Sequence, residues 1–318
     1  MKNFLVWAVI MGVVGYGGAK WYLHSEVSDA MDMAVLMMSP YAEVEYDGVG
    51  STLTGELTVD GVRVRVDGFT DDLYIERVGI DTPSFLSLLE LSDMSKMRSN
   101  GMPEYMGFLI EGLRIPANAD YYQTLYDFSL QARGITDASG PAVECAGKYG
   151  FSPATLTALG YEKQVMDMRM TVRDEETRFS FNMIVSMEQM WDMNVDISLA
   201  GNIMSGMMQG AGYRPKLRDM RVEYTDRSLN QRVSRYCEEL GLSAADTLRA
   251  QIDSFKFVGE SNGIEFDEYM LDPYKEFLLG KSTLVVTAKP NEPIAFSQIG
   301  LYKPSDVPAL LNLAAIAR

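Results

Sequence analysis

Histidine is almost absent from this chain of 318 residues, where His24 is the only one. A serine–histidine–aspartate triad and most zinc sites need at least one imidazole among their functional groups. His24 lies near the start of the chain, at the edge of an apolar N-terminal segment. The sequence therefore excludes a catalytic triad or a histidine-based metal site in the remainder of the protein.

Cysteine is also scarce, with Cys145 and Cys237 as the only two. Their spacing does not match that of metal ligands. An even number of cysteines in an oxidising compartment permits one disulfide, and we predict a Cys145–Cys237 bridge. The alternative is a pair of unrelated buried thiols.

Positive charge is in short supply. Lysine and arginine number 28 against 44 aspartates and glutamates, which gives a net charge of −16. An acidic surface repels nucleic acid and anionic lipid headgroups, so neither is expected as the main partner. The glycine-rich stretch Gly48–Gly55 has no following lysine and is not a phosphate-binding loop. Acidic pairs such as Glu175-Glu176 are typical of solvated turns. We therefore expect that the protein is not an enzyme and that it holds no cofactor and no metal ion.

The N-terminus carries a long uncharged run. Lys2 precedes it, and about 20 residues, 4–23, are apolar enough to span a bilayer with only Lys20 inside. A cleaved signal peptide ending near Gly17-Gly18-Ala19 is the alternative. The order lysine, apolar run, acidic residues predicts a bacterial inner-membrane protein with one transmembrane anchor at 1–24, a cytoplasmic N-terminus and a periplasmic bulk.

Hydrophobic side chains then alternate with period two in both halves of the chain. Each half is interpreted as four antiparallel strands followed by a helix. The prediction is an α+β fold of two antiparallel β-meanders with helices packed on their apolar faces, preceded by the transmembrane helix. The predicted parts are a first meander with helices at 25–135, a linker rich in glycine, serine and proline at 136–154, and a second meander with C-terminal helices at 155–318.

Several local signals refine this prediction. Asp60-Gly61 is a strong two-residue hairpin signal because a type I′ turn needs positive φ at both positions. Helices are expected at Met102–Leu109 and Ala119–Ala132. The chain ends with a further expected helix in which Ser305 caps the N-terminus and Pro308 lies in the first turn.

Methionine is abundant, with 22 residues. In the predicted strand "QVMDMRMTV" it recurs at every second position, and in the next two strands Met183, Met187 and Met193 are in phase with the other apolar residues, so methionine lines one face of the second meander. Its side chain is flexible and polarisable. Three interpretations stay open for this face: an ordinary core, a concave surface for acyl chains, or a groove for a partner's hydrophobic helix. The candidate ligand-binding residues are Met166, Met168, Met170, Met183, Met187 and Met193.

A resemblance rests on the opening of the chain. The apolar N-terminal segment followed by "GELTVDGVRV" and "LYIERVGIDTPSFLSLLEL" is similar to AsmA-like and YdgA-like bacterial envelope proteins, over about residues 1–90. The resemblance implies a single inner-membrane anchor, amphipathic β-sheets with an apolar concave face, and a role in envelope lipid homeostasis or transport. It supplies no catalytic residues. The expected function is binding of lipid or another apolar ligand. The alternative is a non-catalytic interaction or scaffold subunit that contacts other envelope proteins.

Overall fold

The structure is a computed structural model. Its described helices bear on the predicted membrane anchor. Among the residues it describes, no helix is long and apolar enough to cross a membrane. This finding corrects the prediction of a single-pass inner-membrane protein with a periplasmic bulk. The predicted span at 4–23 itself lies outside the described residues. The described residues are 39–52, 54–92, 103–132, 141–146, 150–175, 177–201 and 215–318, with isolated positions between 24 and 36.

A single twelve-stranded antiparallel sheet organises the described part of the chain. Ten strands lie side by side in the order β1-β3-β4-β5-β6-β7-β8-β9-β10-β12, while β2 pairs with β3 and β11 pairs with β9. The strands are β1 (Ala42–Glu45), β2 (Gly48–Ser51), β3 (Glu56–Val66), β4 (Leu73–Asp81), β5 (Tyr105–Pro116), β6 (Lys163–Glu175), β7 (Arg178–Met187), β8 (Trp191–Ala200), β9 (Lys216–Asp226), β10 (Thr283–Ala288), β11 (Ile294–Ala295) and β12 (Ala314–Ala317).

The prediction of two separate meanders is therefore wrong. The predicted helix at Met102–Leu109 is wrong too, because β5 begins at Tyr105 and runs to Pro116. Met106, Phe108 and Ile110 alternate along β5, a period that suits a strand with one apolar face. β5 pairs with β6 from Tyr105 opposite Arg173 to Pro116 opposite Lys163, and this pairing joins the two predicted meanders into one sheet.

The predicted hairpin at Asp60-Gly61 is also corrected. Both residues lie inside β3, and Gly61 has a φ of 66°. Asp47 of the neighbouring strand region occupies the space that a side chain at position 61 would need. The chain turns later, near Asp67 and Gly68, where the amide of Phe69 donates to the carbonyl of Val66. Gly61 thus forms an irregularity within a strand. An Asp-Gly pair is compatible with such an irregularity as well as with a turn.

A second irregularity lies in β5, where the register with β6 shifts between Ile110 and Leu113. Gly112 has a φ of 62°, and its amide donates to Oδ1 of Asp167 at 2.7 Å. On either side of the shift, Ile110 and Leu113 stand opposite Met168 and Met166. The extra residue therefore bends β5 and keeps its apolar side chains on the face shared with β6.

Helices cover parts of the sheet. Their caps follow sequence signals, as in the helix where the Ser243 hydroxyl accepts from the Asp246 amide. The expected C-terminal helix from Ser305 is corrected to a short 3₁₀ turn (Pro304–Asp306), a short helix and strand β12. The helices are α1 (Phe85–Ser92), α2 (Asp120–Ala132), α3 (Pro141–Ala146), α4 (Pro153–Ala158), α5 (Leu229–Glu239), α6 (Ala244–Ser261), α7 (Glu268–Leu278), α8 (Phe296–Ile299) and α9 (Val307–Leu310).

Three buried clusters hold these helices to the sheet within the described ranges. The first cluster centres on Leu156 and the two cysteines, and the second is formed by Val307, Leu311 and their neighbours near β9 and β10. The third consists of Phe85 and Leu88 of α1 packed on the far end of the sheet. The core thus lies at the ends of the apolar face, and the middle of that face contributes to none of the three clusters.

Candidate ligand-binding face

The six candidate methionines lie on one face of the sheet, as their alternation predicts. Met170 stands directly opposite Met183 on the next strand, and Met166 stands opposite Met187. Met168 stands opposite Val185, which in turn stands opposite Met193. Side chains opposite each other in an antiparallel pair have Cβ atoms about 5 Å apart, so these residues form contiguous rows.

These rows continue across neighbouring strands. One row runs from Phe108 through Met170 and Met183 to Val195 and Val222. Because each of these residues stands opposite the next one from β5 to β9, the apolar face is a continuous band that runs perpendicular to the strands.

A second row lies beside the first. It runs from Ile110 through Met168, Val185 and Met193 to Tyr224. The two rows are two residues apart along each strand and share one face, so together they make a band two side chains wide.

Helices bury only part of this band. Met187 is 7% exposed and belongs to the first cluster, against which Met166 also packs. At the other end of the sheet, α1 packs on Leu57 and Ile80. The sequence could not separate these covered methionines from the others, because alternation gives the face of a residue and not what lies above it.

The middle of the band is half-buried except at Val185, which is buried. Its residues belong to none of the buried clusters found among the described residues. We call this surface the methionine window. It comprises Phe108, Ile110, Met168, Met170, Met183 and Met193.

Aromatic rings border the window on the β9 side. Tyr224 stacks on Trp191 at a centroid distance of 5.7 Å and meets Phe277 of α7 edge-to-face at 5.6 Å. Burial raises the pKa of Tyr274 to about 12 and raises the pKa of Tyr224 still further, so both phenols stay neutral at physiological pH. The border is therefore uncharged at these two positions.

Asp226 stands at the end of β9, opposite Trp191. Its carboxylate accepts from the amide of Asn230 at 3.0 Å and so caps α5. Burial raises the pKa of this carboxyl, and the backbone hydrogen bonds only partly oppose that effect. Asp226 has a structural role at the start of the helix.

The predicted disulfide is confirmed. Cys145 on α3 and Cys237 on α5 are bonded, with Cα atoms 5.8 Å apart, and both side chains are almost fully buried. The bridge lies in the first cluster, next to the covered end of the methionine rows. Part of the predicted linker, 141–146, thus forms a helix that is fixed to the core.

The opposite face of the sheet is polar. Nδ2 of Asn182 donates to Oδ1 of Asn194 and to Oδ1 of Asp196, at 2.8 and 2.7 Å. Arg227 makes two hydrogen bonds with the carboxylate of Asp192, at 2.6 and 2.7 Å. Side-chain ladders of this kind satisfy the polar groups and leave this face suited to water.

Sequence reasoning missed three depressions on this polar face. One has a volume of about 340 Å³ and a floor that includes Gly79 and Gly107. A glycine inside a strand often marks a close approach of a ligand or another backbone, and that signal could have found it. Within the described ranges, no group of three or more His, Cys, Asp or Glu side chains is arranged to hold a metal ion.

Comparison with known proteins concerns mainly the second half of the chain. No curated protein matches the chain significantly. Residues 153–318, slightly more than half of the sequence, match the model of a family described as "Uncharacterized protein". The matched region begins at α4 and includes strands β6 to β12, and so contains all six candidate methionines and helix α7, which borders the window. The chain belongs to this uncharacterized family.

Proposed function

We propose that the protein binds an apolar ligand, such as the acyl part of a lipid, on the methionine window. The observation that carries the proposal is the half-buried state of Met168, Met170, Met183 and Met193 in the middle of a continuous apolar face. Contiguous exposed apolar surface is uncommon on soluble domains and marks sites for ligands or partners. Methionine suits ligands of variable shape because its side chain adapts to irregular contacts.

The dimensions of the window support an acyl chain. From Phe108 to Val195 the first row crosses three strand spacings of about 4.8 Å each, or about 14 Å. The second row widens this surface by two residues along each strand. A flexible chain lying across the strands would contact both rows at once.

The charge of the protein narrows the chemical class of lipid that the window would bind. The net charge of −16 disfavours anionic headgroups near the protein surface. The neutral phenols of Tyr224 and Tyr274 on the border add no positive charge that would attract an anion. The proposal therefore favours an uncharged or zwitterionic lipid over a fatty-acid anion.

A second candidate function rests on the same surface. An apolar helix of a partner protein would also cover the window, as in an interaction subunit of a larger complex. The resemblance to AsmA-like and YdgA-like proteins favours the lipid. It stays a prediction, because it concerns about residues 1–90 whereas the family match covers 153–318.

Lipid extraction from the purified protein, followed by mass spectrometry, tests the proposal. We expect co-purifying lipid in the wild type and reduced lipid in Met168→Trp, with nearly unchanged stability, because the larger ring would fill the window from its open side. The matched control is Met187→Trp, which should cost about 1–3 kcal/mol by overpacking a closed core.

Two results would count against lipid binding. Equal destabilisation by Met168→Trp and Met187→Trp would mean that the window is closed core. Absence of lipid in every preparation, together with a stable Met168→Trp variant that no longer joins a complex seen with the wild type, would favour the interaction subunit.

A further inference from the structure

The polar face of the sheet contains three depressions in line. The first has a volume of about 340 Å³ and lies over β3 to β6, and the second has a volume of about 410 Å³ and lies over β6 to β9. A smaller one of about 230 Å³ lies between them. Tyr105 lines both the first and the smaller depression, while Arg173 and Glu175 line both the smaller and the second.

Shared walls make these depressions one continuous surface, which we call the polar trough. It crosses the sheet from Glu56 on β3 to Asp219 on β9, or six strand spacings and about 29 Å. A ligand that filled it would be elongated and would lie across the strands.

Charges outside the trough are mostly paired with each other on this face. Arg65 bridges Glu43 and Asp72, and Arg77 bridges Asp60 and Glu111. These pairs form because neighbouring strands place opposite charges side by side.

The charged side chains that line the trough are not paired in this way with described residues. Glu175, Asp219 and Arg169 form no ion pair and no side-chain hydrogen bond with any described residue. Arg173 contacts the ring of Tyr105 at 5.3 Å but pairs with no carboxylate in the described part of the chain. These groups thus offer acceptors and donors that no described side chain uses for an ion pair.

Hydroxyl and amide groups complete the lining. Asn182 presents its amide between Thr171 of β6 and Asp196 of β8, which stand opposite it on the neighbouring strands. Farther along, Nε of Arg178 donates to Oγ of the buried Ser198 at 2.8 Å, which holds the guanidinium in place. In the first depression, the Tyr105 hydroxyl donates to Oδ2 of Asp81 at 2.6 Å.

We propose that the polar trough binds a neutral oligosaccharide. Each sugar hydroxyl both donates and accepts hydrogen bonds, so a mixed lining of carboxylates, guanidinium groups and hydroxyls matches it along its whole length. Gly79 and Gly107 leave room on the sheet for neighbouring side chains, since the Tyr105 hydroxyl lies 3.1 Å from where a Cβ of Gly107 would stand, and a sugar ring would meet that hydroxyl. The site lies on the opposite face from the methionine window and does not depend on the function proposed for that window.

Other extended ligands fit less well. Nucleic acid and acidic polymers would meet the carboxylates of the trough and a net charge of −16. Recognition of an extended peptide by a sheet uses main-chain hydrogen bonds to an exposed edge strand, whereas the trough lies on the face of the sheet. An uncharged polymer of hydroxyl groups avoids both conflicts.

Isothermal titration calorimetry of the full chain with neutral hexasaccharides tests this proposal. The probes are glucose hexamers in α-1,4 and β-1,4 linkage and the β-1,4 hexamer of N-acetylglucosamine. We expect saturable binding of at least one probe, and at least tenfold weaker binding of that probe to Arg169→Ala and to Glu175→Gln.

Matched controls lie outside the trough. Arg218→Ala removes another exposed strand arginine without an ion pair to any described residue, and Glu188→Gln removes an exposed turn glutamate. Both should bind like the wild type. Absence of binding for every hexamer would overturn the proposal, as would equal losses in trough and control variants. Binding of a lysine hexapeptide but of no saccharide would also overturn it and would indicate a site for basic peptides.

Discussion

The two halves of the sheet are built differently. In the first half, β1 to β5, the fully buried side chains of the covering helix are Phe85 and Leu88, as far as the described residues extend. In the second half, β6 to β12, the helices bury one cluster of nine residues and another of five, and one of these contains the disulfide. Burial of apolar surface is the main stabilising term in folding, so the second half should dominate the stability of the protein.

Strand regularity differs in the same way. β3 and β5 in the first half each contain a glycine with positive φ, Gly61 and Gly112, whereas in the second half β6, β7 and β8 pair without a register shift and the one between β8 and β9 lies near the strand ends, between Ser198 and Leu199. The comparison teaches that the first half is a curved extension of a sheet whose core lies in the second half. The family match to 153–318 covers this core-bearing half.

Removal of the disulfide should cause the largest loss of stability, and this loss should fall on the second half of the sheet. The double variant Cys145→Ala, Cys237→Ala opens a link across a sequence separation of 92 residues. The chain-entropy model gives a loss of roughly 4–5 kcal/mol in the free energy of unfolding. Urea unfolding of the variant and the wild type measures it. A double variant that unfolds at the same urea concentration would show that the bridge contributes little to the second half.

Matched leucine truncations compare the two halves directly. Leu156→Ala removes a buried side chain from the nine-residue cluster, and Leu88→Ala removes one from the two-residue cluster. We expect losses of about 3–4 and about 2 kcal/mol, because a small cluster near the surface relaxes more easily around the missing atoms. Chemical denaturation of both variants is the measurement. A larger loss for Leu88→Ala would reverse the assignment of the main core.

Glycine substitutions test whether the bend in the first half is required. Gly112→Ala should cost about 2–3 kcal/mol, because its φ is 62° and its Cβ would lie 2.7 Å from the Cβ of Glu76. Gly68→Ala is the control. Its φ is also positive but no atom lies within 4 Å of its Cβ, so it should cost about 1 kcal/mol. Equal losses in thermal or urea unfolding would mean that the close packing at Gly112 is unimportant.

The smallest expected effect concerns pH. Burial raises the pKa of Asp226, so the folded state holds this proton more tightly than the unfolded state. The resulting stabilisation is complete below the ordinary aspartate pKa of about 3.9 and is lost as pH rises through the raised folded-state pKa. Asp226→Asn keeps a side-chain oxygen that can accept from the Asn230 amide but removes the charge. It should be at least as stable as the wild type at neutral pH and should lose this advantage in acid. Urea midpoints across the acid range would show a pH-independent difference if burial of the charge has no influence.

Local pattern predicted individual strands in both halves. The sequences "RFSFNMIVSM" and "LYIERVGID" predict strands, which are β7 at Arg178–Met187 and β4 at Leu73–Asp81. In β7 the residues from Phe179 to Met187 at every second position are apolar, so local pattern and tertiary environment agree. The pairing of β5 with β6 could not be predicted in this way, because alternation places side chains on a face but does not choose the neighbouring strand.

Ambiguous signals account for the remaining differences. Asp60-Gly61 suits a type I′ turn and a strand irregularity equally well, and the carboxylate of Asp47 on the neighbouring chain segment decides between them. The face of the six methionines followed from spacing alone. Which of them are covered depends on helices that are distant in sequence, such as the contact of Met187 with the disulfide-linked cluster.

The pairing of β5 with β6 has a consequence for any shorter form of this protein. A fragment that begins near residue 153 would retain the family-matched region but would leave β6 without its β5 partner. Long unpaired strands with an apolar face are templates for pairing with another copy of the chain. Such a fragment should therefore self-associate through β6, and a soluble form would need a substitute strand or a charged substitution on that edge.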